Sequence, residues 1–303
     1  MSFYLMNVGS IPARRTIVLV LALVMSSSVF AKLLKHAAPP APEARAVLLF
    51  DQKTNTVKEE LNIHTRMPIA SITKLMTAYV VLESNTSLDE KVTIVSQIVQ
   101  GSRILKPGMV VTRGELLHMA LIASDNLAAK TLADMHPLGY SAFMGEMNRT
   151  AKRLGMLNTG FNDPSGLSVF NTSTAWDLLL LNRSLVKYSL FNDTAMSKTA
   201  TQYAQSKRGT IQQLFIKNTS IFAGEYDLRL GKTGFTNPAG WCINMKVRYN
   251  GSDFDLIVLG SPSKAVRNTV TSKLLKKYTT RSVRTLAQDK IEQIDADGVD
   301  KYQ

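Results

Sequence analysis

The segment Ser71–Glu83 reads Ser-Ile-Thr-Lys-Leu-Met-Thr-Ala-Tyr-Val-Val-Leu-Glu and contains neither glycine nor proline. Its apolar residues fall on nearly every side of a helical projection instead of one face. A helix with this distribution is buried on all sides. We therefore predict a central helix that starts at Ser71 and against which the other elements pack.

Strands are predicted before and after this helix. Ala46–Phe50 and Val57–Ile63 flank a turn-rich segment and are predicted to form a hairpin. Three further strands are predicted at Leu228–Thr233, Trp241–Tyr249 and Phe254–Gly260. The last two are joined by Asn250-Gly251, a strong hairpin signal. Strands at both ends of a domain imply an α/β fold in which the terminal strands share one antiparallel sheet.

The middle of the chain is predicted to be mostly helical. Thr112 and Glu115 form a capping box before a helix at Arg113–Ala123. Two more helices are predicted, one closed by Gly155 and one that begins at Ser173 or Thr174. A last helix is expected to lie against the sheet, with apolar contacts from Val266, Val270, Leu274 and Tyr278.

The first residues are typical of an export signal. Arg14 and Arg15 precede the apolar run Ile17–Met25, and small residues lead to Ala31. We therefore predict a secretory signal peptide at 1–31, cleaved after Ala31. The apolar run is about half the ~20 residues that span a bilayer, so an uncleaved anchor is the weaker alternative. An Ala/Pro-rich linker at 32–44, a folded domain at 45–278 and a polar tail at 279–303 complete the organisation.

Composition narrows the classes of function. The formal net charge is +13, which favours anionic surroundings such as cell-wall polymers or lipid headgroups, with at most peripheral membrane association. Export argues against nucleic acid as the partner. Cys242 is the only cysteine, so an intrachain disulfide is impossible, and the four histidines lie far apart, so we predict neither a metal site nor another cofactor.

Ser71 and Lys74 form a Ser-x-x-Lys pattern at the start of the predicted central helix. An i, i+3 spacing places both side chains on one helix face, about 5–6 Å apart at Cβ. A serine hydroxyl becomes a useful nucleophile when a base takes its proton, and a buried lysine loses enough pKa to act as that base. By itself the pattern is common, and an ordinary helix start is the more frequent explanation of it.

Two further patterns contain polar residues that acyl-transfer chemistry could use. Ser124-Asp125-Asn126 falls in a turn between helices, where Ser124 could relay protons and the Asn126 amide could hold a carbonyl, although a helix cap is the plain alternative. Lys232-Thr233-Gly234 ends a predicted strand; the cation and hydroxyl could bind a carboxylate, and Gly234 leaves room for a substrate backbone. Only the combination of the three patterns is specific.

Together these motifs resemble the serine DD-peptidases of the low-molecular-mass penicillin-binding protein group. The surroundings of Ser71 and of Lys232 look most like D-alanyl-D-alanine endopeptidases of the penicillin-binding protein 7 type. The resemblance implies a β-lactamase/transpeptidase-like fold, in which helices flank an antiparallel sheet and an all-helical subdomain adjoins it. It covers the folded domain, with Asp125 at a position where close relatives often have glutamate.

The resemblance also implies roles for individual residues. Ser71 would be the nucleophile, Lys74 the base and Ser124 the proton relay. Asn126 would contact the substrate, whose carboxylate Lys232 and Thr233 would bind beside Gly234. Backbone N–H groups of Ser71 and Phe235 would form the oxyanion hole. The expected partners are peptidoglycan stem peptides, with β-lactams as covalent inhibitors.

Related serine enzymes differ in how fast they hydrolyse the acyl-enzyme and in which leaving group they release. A class A β-lactamase uses a glutamate after the second motif, but no glutamate occurs from Met147 to Gly224. Asp163 is the acid nearest that place, and we interpret it as a turn former beside Pro164. We therefore predict slow release of β-lactams. The resemblance around Lys232-Thr233-Gly234 favours an endopeptidase. A D-alanyl-D-alanine carboxypeptidase and an inactive peptidoglycan-binding protein remain the alternatives.

Overall fold

A computed structural model describes residues 43–278, except residues 96, 98, 103, 189, 191–196 and 250. The predicted signal peptide, most of the predicted linker and the C-terminal tail lie outside the described residues. Ala44 is buried, so the packed domain includes the residue before the predicted boundary at Arg45. Within the described part of the chain, none of the helices is both long enough and apolar enough to cross a membrane.

The strands are β1 (Ala46–Asp51), β2 (Thr56–Leu61), β3 (Met67–Pro68), β4 (Lys91–Thr93), β5 (Val110–Thr112), β6 (Thr172–Ser173), β7 (Thr199–Gln205), β8 (Ile211–Lys217), β9 (Asp227–Thr236), β10 (Gly240–Tyr249) and β11 (Ser252–Ser261). The helices are α1 (Lys74–Glu83), α2 (Arg113–Leu121), α3 (Asn126–Asp134), α4 (Gly139–Arg153), α5 (Ala175–Leu185) and α6, helical over 264–278. A 3₁₀ turn, Ala70–Thr73, leads into α1.

The predicted main sheet is confirmed. Its five strands run antiparallel in the order β2-β1-β11-β10-β9, so the two ends of the domain meet between β1 and β11. Tyr249 pairs with Ser252 across the predicted hairpin, and Gly251 has a φ of 73°. Helix α5 packs on β1 and β11, while Tyr278 of α6 donates a hydrogen bond to the Lys58 carbonyl of β2.

The central helix is confirmed, but its start is not where the sequence places it. Lys74–Val81 are buried, and α1 contacts helices α2, α3, α4 and α5. Ser71 lies in the 3₁₀ turn before α1 and not in the α-helix itself. Ala70, the first residue of this turn, has a φ of 48°, a conformation that non-glycine residues seldom adopt.

The other predicted helix ends agree closely with the structure. Thr112 and Glu115 make both hydrogen bonds of the capping box, and the Thr174 side chain accepts from the Asp177 amide at the start of α5. Phe143 and Met147 are buried on α4, which ends before Gly155. Local side-chain chemistry fixes these helix ends, so the sequence contains enough information to find them.

The interpretation of the middle region as mostly helical is incomplete. A second sheet, β4-β5-β7-β8, lies there, and β3 pairs with β6. Along β7 and β8 few side chains are buried, so the apolar alternation that marks a strand is nearly absent. Strand β9 also continues to Thr236, so Lys232-Thr233-Gly234 lies within the strand and not at its end.

A buried ion pair joins two neighbouring strands of the main sheet. Lys246 Nζ of β10 lies 2.6 Å from Asp255 Oδ2 of β11, and both side chains are almost fully buried. Asn182 of α5 donates to Asp255 Oδ1 at 2.9 Å. The buried Asp255 carboxylate takes partners from both β10 and α5, so this network fixes the position of α5 on the sheet.

We expect Asp255→Ala to lower the free energy of unfolding by about 3–5 kcal/mol, because it leaves the Lys246 charge buried without its partner. Urea denaturation followed by circular dichroism measures this loss. The matched control is Asp253→Ala, which removes the same kind of cross-strand pair, Arg248–Asp253, at an exposed position of the same two strands. The control should lose less than about 1 kcal/mol, and equal losses would contradict the argument.

Candidate active site

Ser71 and Lys74 are in direct contact. The 3₁₀ turn brings residues i and i+3 onto the same side, and Lys74 Nζ lies 3.0 Å from Ser71 Oγ. Lys74 is fully buried, whereas Ser71 is half-buried and opens onto a cleft. The predicted proximity of these two side chains is therefore present, although a tighter helix than the one predicted produces it.

The Lys74 amine is surrounded by neutral acceptors. Besides Ser71 Oγ, it contacts Asn126 Oδ1 at 2.6 Å and the Ser165 carbonyl oxygen at 2.7 Å. Burial lowers the pKa of Lys74 to about 7, against the opposing effect of the Asp163 and Asp125 carboxylates. A lysine with this pKa is largely uncharged just above neutrality, so it can accept a proton from Ser71.

A loop after α4 supplies the Ser165 carbonyl, and Asp163 organises that loop. Asp163 Oδ1 accepts from the Ser165 and Gly166 amides at 2.7 Å, and Oδ2 accepts from the Ser168 amide at 2.6 Å. Burial raises the pKa of Asp163, but these hydrogen bonds lower it by more, so the pKa lies below its ordinary value. This agrees with the interpretation of Asp163 as a turn former.

Two glycines allow the loop and strand β9 to press against the turn that holds Ser71. A Cβ on Gly166 would lie 2.0 Å from the Ala70 carbonyl oxygen, and one on Gly234 would lie 2.9 Å from the Ser71 amide nitrogen. Neither position has room for a side chain. The backbones on both sides of Ser71 are therefore held at van der Waals distance, which keeps its hydroxyl in one place.

The second motif lies between α2 and α3, as the sequence predicts. Ser124 has a φ of 60°, a conformation that non-glycine residues seldom adopt and that is often found at active sites. Asp125 is the N-cap of α3 and accepts from the Ala128 amide at 2.9 Å. The helix-cap interpretation is thus correct for Asp125, while the strained turn directs Ser124 toward Lys232.

Both ends of the Asn126 amide are used within the protein. Its Oδ1 atom accepts from Lys74, and its Nδ2 atom donates to the Gln100 carbonyl at 2.5 Å. The side chain is 6% exposed. In this arrangement Asn126 orients the lysine, a role that the sequence motif does not reveal.

The third motif faces the first two from β9. Lys232 Nζ donates to Ser124 Oγ at 2.8 Å, and Thr233 Oγ1 donates to Thr219 Oγ1 at 2.8 Å. Burial, together with the nearby Lys74 and Arg267 cations, lowers the pKa of Lys232 well below its ordinary value. A carboxylate bound here would reverse that shift, because it would supply the missing negative charge.

These groups line one cleft with a volume of about 900 Å³. Its walls include six residues of the motifs: Ser71, Ser124, Asp125, Asn126, Thr233 and Gly234. Phe235, 46% exposed, stacks on Trp241 with ring centroids 4.2 Å apart at the same cleft. Lys74 and Lys232 lie behind this wall and reach it through their hydrogen bonds to Ser71 and Ser124.

The structure adds cleft residues that the motif analysis missed. Thr219 reaches the third motif from the segment after β8, and Arg267 lines the cleft from α6, where it donates to the Cys242 carbonyl at 3.4 Å. Gln100 acts on the site indirectly, through the carbonyl that accepts a hydrogen bond from Asn126. Nothing in the local sequence marks these positions, because each comes from an element that approaches the site only after folding.

A hydroxyl bonded to a buried amine of lowered pKa, next to a second lysine and a second serine, defines an enzyme that transfers acyl groups through a serine. Residues 34–263 match the D-alanyl-D-alanine carboxypeptidase family. The chain belongs to this family, as the resemblance of its three motifs predicts.

Individual relatives agree with this assignment. The chain is 37% identical over 234 residues to the D-alanyl-D-alanine endopeptidase of Escherichia coli, which covers 75% of this chain and 74% of the relative. The crystal structure of a Streptomyces DD-transpeptidase superposes with a TM-score of 0.73 at 30% identity, over 79% of this chain and 98% of that one. A Listeria monocytogenes penicillin-binding protein in its cefotaxime-bound form gives a TM-score of 0.67 at 30% identity, with the same two coverages.

The predicted transpeptidase-like fold is therefore confirmed. Helices flank the antiparallel five-stranded sheet, and α1–α4 pack together beside it. The cleft with Ser71 lies where the helical part meets β9. The sheet β4-β5-β7-β8, which the sequence did not predict, forms part of the cleft wall through β8.

We expect the Lys74 amine to titrate near pH 7, because its charged form is desolvated. A protein labelled with ¹³C at lysine Cε allows the titration to be followed by NMR. Asp163→Asn removes a negative charge that favours the protonated lysine, so the Lys74 pKa should fall further. Asp134→Asn, which changes a carboxylate paired with Lys130 on α3, is the matched control and should leave Lys74 unchanged. Titration of wild-type Lys74 near 10 would contradict this account.

Proposed function

We propose that this chain is a serine D-alanyl-D-alanine endopeptidase that hydrolyses D-alanine-containing cross-links of peptidoglycan through an acyl-enzyme on Ser71. The observation that supports it most directly is the 3.0 Å contact between Ser71 Oγ and the buried amine of Lys74. Neutral Lys74 takes the Ser71 proton as the hydroxyl attacks the D-alanyl carbonyl. Backbone N–H groups of Ser71 and Phe235 stabilise the oxyanion.

Collapse of the tetrahedral intermediate requires a proton for the leaving amine. Ser124 donates it from its hydroxyl, which lies in the same cleft as Ser71, and then takes over the proton that Lys74 received from Ser71. The hydrogen bond from Lys232 holds the Ser124 hydroxyl in position for this relay. Lys232 and Thr233 bind the carboxylate on the leaving side. Asn126 keeps Lys74 in place and, as predicted, also contacts the substrate. Water then attacks the acyl-enzyme and restores Ser71.

The composition of the loop after α4 explains why the acyl-enzyme that a β-lactam forms on Ser71 should be hydrolysed slowly. No glutamate occurs from Met147 to Gly224. The oxygens of Asp163 accept hydrogen bonds from the loop, and its lowered pKa makes it a weak base. A water molecule therefore lacks the activating carboxylate that class A β-lactamases use. The name of the cefotaxime-bound relative supports β-lactams as covalent ligands of this chain.

The endopeptidase is favoured over the carboxypeptidase alternative by similarity. The relative with 37% identity is an endopeptidase, whereas the family as a whole is described by its carboxypeptidases. The two activities share every step at Ser71 and differ only in the size of the leaving group. An inactive peptidoglycan-binding protein is disfavoured because each polar side chain that the chemistry requires is present and lies in, or directly behind, one cleft.

A substrate in the cell wall requires export. We propose that residues 1–31 are a signal peptide cleaved after Ala31 and that 32–44 form a linker whose last residue, Ala44, already packs into the domain. Residues 45–278 then form the catalytic domain in the periplasm, and 279–303 form a polar tail. The basic Arg14-Arg15 pair before the apolar run supports the first assignment. The net charge of the full chain is +13, and cleavage would remove only the two positive charges of Arg14 and Arg15, so the mature protein stays strongly basic. This supports attraction to anionic wall polymers and at most peripheral contact with the membrane.

Incubation with a penicillin should produce a stable adduct of one β-lactam on Ser71. Intact-mass spectrometry of protein from the periplasmic fraction measures the adduct and also gives the N-terminus, expected at Lys32. The acylation rate should rise as the pH passes through about 7 and then level off, because Lys74 must lose its proton. Ser71→Ala should remain unlabelled. Rapid turnover of the penicillin would contradict the proposed slow deacylation.

The wild type should cleave cross-linked muropeptide dimers faster than it removes D-alanine from monomeric pentapeptides. Liquid chromatography of the products gives kcat/KM for both substrates. Ser124→Ala should reduce both values by roughly 10²–10⁴, because proton transfer to the leaving amine is lost. Release of D-alanine from pentapeptides without dimer cleavage would support the carboxypeptidase instead.

A further inference from the structure

The hairpin β7–β8 has one face that packs inward and one that is exposed. In its register Thr201 is opposite Phe215 and Tyr203 is opposite Gln213, so these side chains share a face. Three large apolar side chains on that face are exposed: Tyr203 at 48%, Ile211 at 63% and Phe215 at 78%. Apolar groups gathered on one exposed face commonly mark a binding surface.

One end of this face continues into the active-site cleft. Phe215 and Lys217 of β8 line the cleft that also contains Ser71, whereas Tyr203 and Ile211 do not. Lys198, just before β7, lines it too, and its carbonyl accepts from the Asn218 amide at 2.9 Å. We call Lys198, Phe215 and Lys217 the outer wall of the cleft.

The outer wall lies on the side from which a leaving group departs. The Thr219 amide donates to the Ile122 carbonyl at 3.1 Å, next to the turn of Ser124, and Thr219 Oγ1 accepts from Thr233. The segment that follows β8 therefore borders both the proposed proton donor and the proposed carboxylate site. A peptide that extends past Thr233 runs along this segment toward Lys217 and Phe215.

The charges of the outer wall match an anionic peptide. Lys198 and Lys217 are exposed, and neither has an ion-pair partner among the described residues. Among the described residues that line the cleft, Glu225 is the one exposed acidic side chain. Two lysines beside an exposed aromatic ring suit a ligand that combines carboxylates with aliphatic carbon atoms.

We propose that the outer wall is a subsite for the second stem peptide of a cross-linked substrate, on the amine side of the scissile bond. This inference rests on the proposed endopeptidase function and names the group that sets its preference for dimers. Lys198 and Lys217 bind carboxylates of the leaving peptide, and Phe215 covers its aliphatic part. A single D-alanine ends at Thr233 and gains nothing from this wall, so the subsite distinguishes cross-links from free termini.

The test compares two reactions of the same Ser71. Lys217→Glu and the double variant Lys198→Glu/Lys217→Glu should lower kcat/KM for a cross-linked muropeptide dimer about tenfold or more, because each change replaces attraction by repulsion. The rate of acylation by penicillin and the melting temperature should stay the same within about twofold and a few degrees. Arg208→Glu, in the exposed turn of the same hairpin and away from the cleft, is the charge-matched control and should behave as wild type.

A second pair of variants tests the aromatic contact. Phe215→Ala should lower dimer cleavage by roughly fivefold or more, whereas Ile211→Ala, on the same face outside the cleft, should have no effect. A parallel measurement uses Ser71→Ala and calorimetry of dimer binding, which should weaken on adding Lys217→Glu.

The outcomes separate this inference from the function on which it rests. If wild type cleaves dimers and the outer-wall variants do so equally well, the subsite is wrong and the endopeptidase stands. If penicillin acylation falls together with dimer cleavage, the outer wall supports only the fold. A third outcome is that penicillin acylates the wild type, that the wild type does not cleave the dimer, and that the Ser71→Ala variant does not bind it. In that case both the endopeptidase and the subsite are wrong.

Discussion

The Lys74 amine occupies a position where burial makes its charged form costly. It contacts the Ser71 hydroxyl, the Asn126 amide oxygen and the Ser165 carbonyl, which belong to the 3₁₀ turn, to α3 and to the loop after α4. Each contact offers a lone pair but no full negative charge. The amine is therefore held in place without being forced to keep its proton. The 3₁₀ turn, α3 and the loop after α4 therefore meet at the Lys74 amine.

The surrounding structure explains how such a site is kept rigid. Gly166 and Gly234 let two backbones approach the turn of Ser71 more closely than any side chain would allow. Asp163 uses its carboxylate to hold the loop that presents Ser165, and Ala70 and Ser124 adopt positive φ values. Strained residues of this kind persist only where packing enforces them. The buried helix α1 and the strand β9 supply that packing.

The same geometry separates chemistry from specificity. Chemistry takes place at the inner end of the cleft, where Lys74 and Lys232 are buried. The outer wall is exposed, and its two lysines have no ion-pair partner among the residues that the structure describes, so it can contact a long substrate without changing the pKa values at Ser71. A relative that acts on free termini and one that acts on cross-links can therefore share the inner end and differ in the outer wall. Exposed loops and hairpins, such as the one that forms the outer wall, tolerate sequence change more readily than the buried inner end of the cleft.

The sequence alone determined the elements with a local cause: the buried helix after Ser71, the capping box at Thr112, the helix start at Thr174, and the terminal strands. It also determined the family, because three motifs in order are specific even though each is weak. Tertiary structure alone decided the role of Asn126 toward Lys74, the presence of Arg267 and Thr219 in the cleft, and the exposed face of β7–β8. These depend on contacts between residues distant in the chain, and local patterns contain no information about which distant elements meet.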